Sequence, residues 1–470
     1  MTPTSYDLVV IGGGPAGFGG ANAAAIFGKR VALVEMAPTI GGAGLNTGTI
    51  PSKALRESAL LISGWRARKL LGVDLTLKRE TSIADLAYHA GHVIAAERAE
   101  IEARMRLFGV ETVRGTAAFA DPHTVRVVDD SGRATSLSAE AILIASGSSP
   151  AHPPGFPFAH PRVHDSNELL EITALPKSMA VVGAGVVGAE YACTFAALGV
   201  AMHVVDGRDS LLPFLDHEVS AGIAAAMQSH GIEFHWHERV ESCIASERGD
   251  VVLKLSSGKE LAVTDVLVTA GRNSNTADLN LAAAGLTAGA RGLLQVNAFY
   301  QTDVPHIYAA GDVIGAPALA ATGMEQARVA VCHAFALLDK HMAPLLPSGI
   351  YTIPEASMVG QTEQAAQKSG VPYLVGRSRY SQNARGRLIG DESGFLKLIF
   401  RRDDMRLVGV HALGEQATEL VHIGLTAMLC DADATLFNRA CFNFPTLGDL
   451  YKYAAYDAIL QRGGRKVDLP

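Results

Sequence analysis

The chain has 470 residues, more than a single hydrophobic core serves, which points to two to four domains. Hydrophobic residues make up 48% and charged residues 19%, a balance that excludes a disordered or fibrous chain. The net charge of −7 comes with no Lys/Arg-rich block, which argues against nucleic acid as a partner.

The opening "MTPTSYDLVVIGGG" lacks the basic start and cleavage site of a secretory leader and runs almost at once into a strand-like stretch. Residues 8–28 carry no charge and are long enough to cross a bilayer. Their glycines, with Pro15 and Asn22, instead read as a buried strand, a tight turn and a helix. In "YDLVVIGGGPAGFGGANAAAIFGKRVALVE", Gly12, Gly14 and Gly17 form G-x-G-x-x-G, and a second strand ends at Glu35. The first glycine permits the turn, the second lets the backbone approach a pyrophosphate, and the third lets helix and sheet pack closely. The helix N-terminus offers unpaired N–H groups to phosphate, and Glu35 is placed to accept from ribose hydroxyls.

The pattern recurs in "SMAVVGAGVVGAEYACTFAALGVAMHVVD", with Gly183, Gly185, Gly188 and then Asp206. The first glycine and the acid are 23 residues apart in both units. Two such units imply two dinucleotides, a flavin and a nicotinamide, the pairing a hydride-transfer enzyme needs. Arg208, two residues after Asp206, is either a partner for a ribose 2′-phosphate or an ordinary surface arginine. Further on, "TDVPHIYAAGDVIG" reads as a strand followed by Gly311 and Asp312, an acid placed to bind the ribityl chain of FAD. The helix expected next begins near Ala320, its positive end facing the flavin's pyrimidine side.

The five cysteines, Cys193, Cys243, Cys332, Cys430 and Cys441, form no CxxC pair and no zinc pattern. They read mainly as buried core residues in a cytoplasmic protein.

Taken together, "VVIGGGPAG", "GTIPSK", "ILIASGSSP", "VVGAGVVGAEYA", "VTAGRNSNT", "IYAAGDV" and "YTIPEASMVGQTE" resemble, in order and over nearly the whole length, the pyridine nucleotide-disulfide oxidoreductases. The resemblance implies an α/β fold with two Rossmann-like dinucleotide-binding domains and an α+β C-terminal domain that makes a homodimer. It implies an FAD domain split over 1–150 and 275–345, an NAD(P) domain over 151–274, and an interface domain over 346–470. Lys53 of "PSK" matches the family lysine beside flavin N5, and Glu190 of "GAEY" matches the glutamate that pairs with it where the nicotinamide docks. Thr49, Gly147 and Gly271, which lie in the resembling stretches, and Gly42, in the loop before "GTIPSK", are further cofactor contacts on this reading.

The resemblance breaks at one mechanism. The family's loop carries two cysteines, and here those places hold Gly44 and Thr49 within "GGAGLNTGTIPSKAL". The family's C-terminal histidine base and its glutamate are replaced by Phe444 and Asp449 in "CFNFPTLGD". Neither sulfur nor base remains for thiolate chemistry. The parts that remain serve exchange between a nicotinamide and a flavin, so the expected reaction is FAD-dependent hydride transfer between NAD(P)H and NAD(P)+. Two alternatives stand beside it: an NAD(P)H dehydrogenase that passes electrons to a quinone, dye or oxygen, and a non-catalytic flavin- and NAD-binding subunit. Neither a metal nor a membrane is expected.

Overall fold

The computed structural model describes residues 4–64, 83–246 and 249–463. Its first sheet is built on strand Thr4–Ile11, whose Val9 and Val10 are fully buried. A continuous apolar run of this kind suits a parallel strand covered on both faces. It pairs in parallel with Val31–Glu35 on one side and Ala134–Ile144 on the other. Strand Glu111–Arg114 extends one edge, and Ile307–Ala309 joins beside Ala134–Ile144 from far along the chain. The first half of Ala134–Ile144 also pairs antiparallel with Thr124–Val128, which pairs with Thr116–Asp121.

The second unit repeats this plan. Five parallel strands lie in the order Glu233–Trp236, Ala201–Asp206, Ser178–Val182, Asp265–Val268, Val163–His164. A three-stranded antiparallel layer, Val240–Ala245, Val251–Leu255 and Glu260–Val263, accompanies them. In both units a helix begins directly after the first strand, Pro15–Ile26 in one and Val186–Ala197 in the other.

Residues 348–413 form a five-stranded antiparallel sheet, and helices Ala417–Leu429 and Leu450–Arg462 contribute Leu420, Val421, Tyr451 and Ala454 to its core. The fold class is thus α/β with two Rossmann-like units and an α+β C-terminal unit.

The second and third units are joined by a buried charge cluster. Lys397, 2% exposed, pairs with Asp216 at 2.8 Å and Glu363 at 2.6 Å. Asp216 caps helix His217–Ser229 by accepting from the Glu218 N–H. A buried ion pair adds little net stability, but it fixes the relative placement of its partners because either charge left alone would be stranded. Among the described residues no helix is long and apolar enough to cross a membrane.

Candidate active site

The two glycine turns have nearly the same geometry. Gly12 has φ +104° and Gly183 has φ +110°, conformations that side chains other than glycine's rarely adopt. A Cβ on Gly17 would lie 1.8 Å from the carbonyl oxygen of Gly12, and one on Gly188 would lie 2.1 Å from that of Gly183. The third glycine of each motif therefore sets how closely helix and strand approach. Both helices start from an extended glycine, Gly14 or Gly185, with no side-chain cap, so the N–H groups of their first turns, from Ala16 in one (Pro15 has none) and Val186 in the other, are left for an anion.

The acids that close the next strands also correspond. Glu35 accepts from the N–H groups of Gly13 (2.8 Å) and Ala37 (2.7 Å). Asp206 accepts from those of Ala184 (2.6 Å) and Arg208 (2.9 Å). Asp206 alone is also held by a side chain. Arg208 donates Nε to one carboxylate oxygen at 2.8 Å and Nη2 to the other at 2.7 Å. Burial opposes ionisation of Asp206, but the Arg208 guanidinium and the two amides outweigh it and bring the carboxyl down to about 2. Where the sequence offered Arg208 as a phosphate partner or a surface residue, the structure pairs it with the nearest anion, its own neighbour.

Around the first unit the structure brings together groups whose chemistry fits a dinucleotide such as FAD. A Cβ on Gly42 would lie 2.8 Å from the Cα of Gly14, so loop and turn are in backbone contact beside the helix start. Ser146, next to the backbone that faces Gly12, has an enclosed Oγ with no protein partner. An orphaned hydroxyl, uncapped helical amides and a carboxylate with acceptor capacity left over fit a dinucleotide. Gly147, at φ +71°, accepts from the N–H of Asn275.

Gly311 and Asp312 open a 3-10 turn, and the Gly311 N–H donates to the buried Gln326 of helix Ala320–Ala334 at 2.8 Å. Asp312 accepts from Ser148 Oγ at 2.6 Å, and that hydroxyl accepts from Arg272 Nε at 2.7 Å. Ser148 and Arg272, which hold Asp312, and Gln326, which holds Gly311, escaped sequence reasoning. The signal available was only that Ser148 and Arg272 adjoin Gly147 and Gly271. Gly271 itself, at φ +94°, packs closely against Arg291.

Lys53 and Glu190 are brought together from different units. Lys53 lies on helix Thr49–Ile62 and Glu190 on helix Val186–Ala197, and Lys53 Nζ is 2.6 Å from Glu190 Oε2. The other carboxylate oxygen accepts from the N–H of Tyr351 at 2.9 Å, and Lys53 Nζ sits 5.0 Å above the Tyr351 ring. The charge-assisted bond to Glu190, the Ser52 hydroxyl that accepts at 3.3 Å and the cation–π contact hold the ammonium, while the Tyr351 amide holds the glutamate. Helix Thr49–Ile62 is itself anchored by Arg56, which donates Nε and Nη2 to the carbonyl of Thr352. The lysine side chain keeps 25% of its surface open.

The loop before this helix holds no sulfur. A Cβ on Gly44 would lie 2.6 Å from Cγ of Pro15, so a thiol there requires the proline ring or the loop to move. Thr49 is exposed at the helix start. Cys193, one turn from Glu190, offers no replacement, because burial pushes its thiol up to about 12. Phe444 is 72% exposed.

Residues 6–334 match the family described as pyridine nucleotide-disulphide oxidoreductase, and residues 346–455 match its dimerisation domain. A protein of Mycobacterium bovis named soluble pyridine nucleotide transhydrogenase is 44% identical over 455 residues, 97% of each chain. One of the same name from Azotobacter vinelandii is 39% identical over 98% of this chain and 99% of its own. Among solved structures, LpdA of Mycobacterium tuberculosis is similar at TM-score 0.89 and 26% identity, covering 96% of this chain and 99% of its own. The flavoprotein disulfide reductase RclA of Escherichia coli is similar at TM-score 0.85 and 25% identity, over 95% and 99%. With the family pattern covering both nucleotide units and the C-terminal sheet, the chain belongs to the pyridine nucleotide-disulphide oxidoreductases.

Proposed function

We propose that this protein is an FAD-dependent enzyme that exchanges hydride between NAD(P)H and NAD(P)+, without a redox disulfide. The observation that carries the reading is the Lys53–Glu190 pair, which joins the two nucleotide units beside a loop that offers no thiol. Kinship over nearly the full length with proteins named for this activity supports it.

When bound, FAD supplies a ring that one nicotinamide reduces and another reoxidises. In the first unit, Gly12, Gly14, Gly17 and Gly42 admit the pyrophosphate. Glu35 takes the ribose and Asp312 the ribityl chain, with Gly147, Gly311, Thr49 and the helix start at Ala320 completing the enclosure. In the second unit, Gly183, Gly185, Gly188 and Gly271 admit the nicotinamide nucleotide, and Asp206 with Arg208 receives its adenosine ribose. Lys53 would hold a positive charge beside flavin N5, the atom that exchanges hydride, and Glu190 would keep that ammonium aimed. Orientation of the two rings supplies most of what remains to be done, since donor and acceptor nucleotides differ only far from the reacting carbon.

On this reading the FAD unit comprises 1–150 and 275–345, the nicotinamide unit 151–274, and 346–470 the contact surface of a cytoplasmic homodimer. Exposed Phe444, Tyr453 and Tyr456 in the C-terminal unit suit such a surface.

The test is anaerobic: the purified yellow protein is reduced with NADPH, then given the thio-analogue of NAD+, and both absorption bands are followed. Flavin bleaching followed by reoxidation, with the analogue reduced at catalytic rates, is the expected result. Bleaching that persists until a quinone or oxygen is added would instead identify an NAD(P)H dehydrogenase. An absence of bleaching would identify a binding subunit.

A further inference from the structure

A cluster of metal-ligating side chains lies outside the nucleotide sites, on the edge of the second parallel sheet. Strand Glu233–Trp236 is that edge, and it runs parallel to Ala201–Asp206 with His203 opposite Glu233 and Val205 opposite His235. Side chains alternate along a strand, so Phe234 and Trp236 turn onto the core while Glu233, His235 and His203 share the other face.

There, Nε2 of His235 lies 3.3 Å from Nδ1 of His203, and Oε2 of Glu233 lies 3.3 Å from the same nitrogen. All three ligand atoms fall within 4.8 Å of one another. A separation of 3.3 Å is long for a hydrogen bond, whose usual range ends at about 3.2 Å. Both separations also match the edge of a tetrahedron around an ion with nitrogen and oxygen bonds of about 2.0–2.2 Å, which gives edges of about 3.3–3.6 Å, and the exposed Glu233 side chain can turn to bring the third separation, within 4.8 Å, to that length. Two imidazole nitrogens that face each other can share one proton between them or give both lone pairs to a cation.

The approach from solvent is open, since the Glu233 side chain is 67% exposed, while His203 at 18% is held by its surroundings.

We propose that His203, Glu233 and His235 form a site for a late first-row divalent cation of the zinc class, with its fourth position open to water. The two imidazoles select against magnesium and calcium, which take oxygen ligands. The ion would clip the edge strand to its neighbour three residues before Asp206, the acid of the second nucleotide unit.

The experiment uses the flavin-loaded protein, with its thiols alkylated and metals removed by chelation and dialysis, titrated calorimetrically with Zn2+ and separately with Mg2+. The expected result is one Zn2+ per chain, no binding of Mg2+, and a rise in melting temperature with Zn2+. In His203→Gln and in His235→Gln, Zn2+ affinity falls by about a hundredfold or more, with flavin content unchanged. Should either histidine variant fail to retain flavin, Glu233→Gln, at an exposed side chain, is expected to weaken Zn2+ at least about tenfold. Failure of the parent protein to bind Zn2+, or equal binding by the parent and a flavin-loaded variant, would overturn the proposal.

Discussion

The two nucleotide units repeat one backbone arrangement around an acid, Glu35 or Asp206, and part at the residue two places beyond it. In each, the acid after the second strand accepts from the amide of the residue after the first glycine and from the amide two residues further along. In the first unit that second residue is Ala37, and the carboxylate of Glu35 is left with capacity for a ribose. In the second it is Arg208, whose guanidinium covers both oxygens of Asp206. On the proposed function, the difference teaches how one scaffold would hold a resident cofactor in one place and an exchangeable substrate in the other. A bare acid repels a 2′-phosphate, whereas an acid already paired with arginine carries the counter-charge to accept one. On the same proposal, the pair opens to give NAD(H) its hydrogen-bonded ribose.

The largest expected effects come from breaking each turn in the same way. Gly17→Val drives a side chain into the Gly12 carbonyl, and the protein is expected to purify without flavin and without activity. Gly188→Val makes the equivalent clash with Gly183 but leaves the first unit intact. It should purify yellow, with flavin reduction by either nicotinamide slowed at least about a hundredfold in stopped flow, the scale of an ångström of misplacement. If Gly188→Val also lost its flavin, the assignment of the two units to two different dinucleotides would fail.

Next in size is the junction between the units. Lys53→Met removes the ammonium that Glu190 and Tyr351 hold in place. Flavin content should be unchanged, while the rate of flavin reduction falls by about a hundredfold to a thousandfold, the usual cost of one preorganised charge at a reacting centre. Glu190→Gln leaves the lysine charged but less well aimed, and about a tenfold loss is expected. Equal rates in all three proteins would show the pair to be structural only.

Much of the fold and part of this site could be read from sequence, and the physical reason is locality. Gly12, Gly14 and Gly17, or Gly183, Gly185 and Gly188, act within one strand–turn–helix, so their spacing carries their geometry. Lys53 and Glu190 were legible only through the resemblance, because nothing local says that helices beginning at residues 49 and 186 meet. What sequence could not supply was the outcome of competition between partners. Arg208 could face solvent, a phosphate or Asp206, and the choice depends on which anion lies within reach of a folded side chain. The Ser148–Arg272–Asp312 chain depends on strand Arg272–Ser274 pairing back onto Ser148–Pro150. His203 meets Glu233 and His235 only through the register of two parallel strands, and the Lys397 cluster through contact between two units.

Smaller effects sharpen the difference at the acids themselves. Arg208→Ala turns the second unit into a copy of the first at this position. The KM for NADP(H) should rise by about tenfold or somewhat more, as expected for one charge-assisted bond to a phosphate, with kcat little changed. The KM for NAD(H) should hold or fall, since Asp206 is then free for the ribose. Parallel changes for both nucleotides would mean that Arg208 serves only to brace the strand end.

The smallest effect is on stability in acid, and its sign follows from Asp206. In the unfolded chain this carboxyl titrates near 3.8, and in the folded protein it is held at about 2. A folded-state value below the unfolded one means that the ionised carboxylate favours folding at every pH above about 3.8, and that this contribution is lost as the pH falls through the folded value. Arg208→Ala removes the guanidinium while leaving the amides of Ala184 and Arg208's own position, so the folded value rises towards the unfolded one and less stability remains to be lost. At neutral pH the variant should therefore be less stable than the parent, and its acid unfolding midpoint, followed by circular dichroism, should move up by about a few tenths of a pH unit. Ala37→Arg at the corresponding place in the first unit tests the converse. If an arginine there clasps Glu35 as Arg208 clasps Asp206, that variant gains acid resistance and binds FAD more weakly, because the new bonds compete with the ribose for the same oxygens. Unchanged FAD affinity would show that the fate of the acid is set by more than the residue two places beyond it.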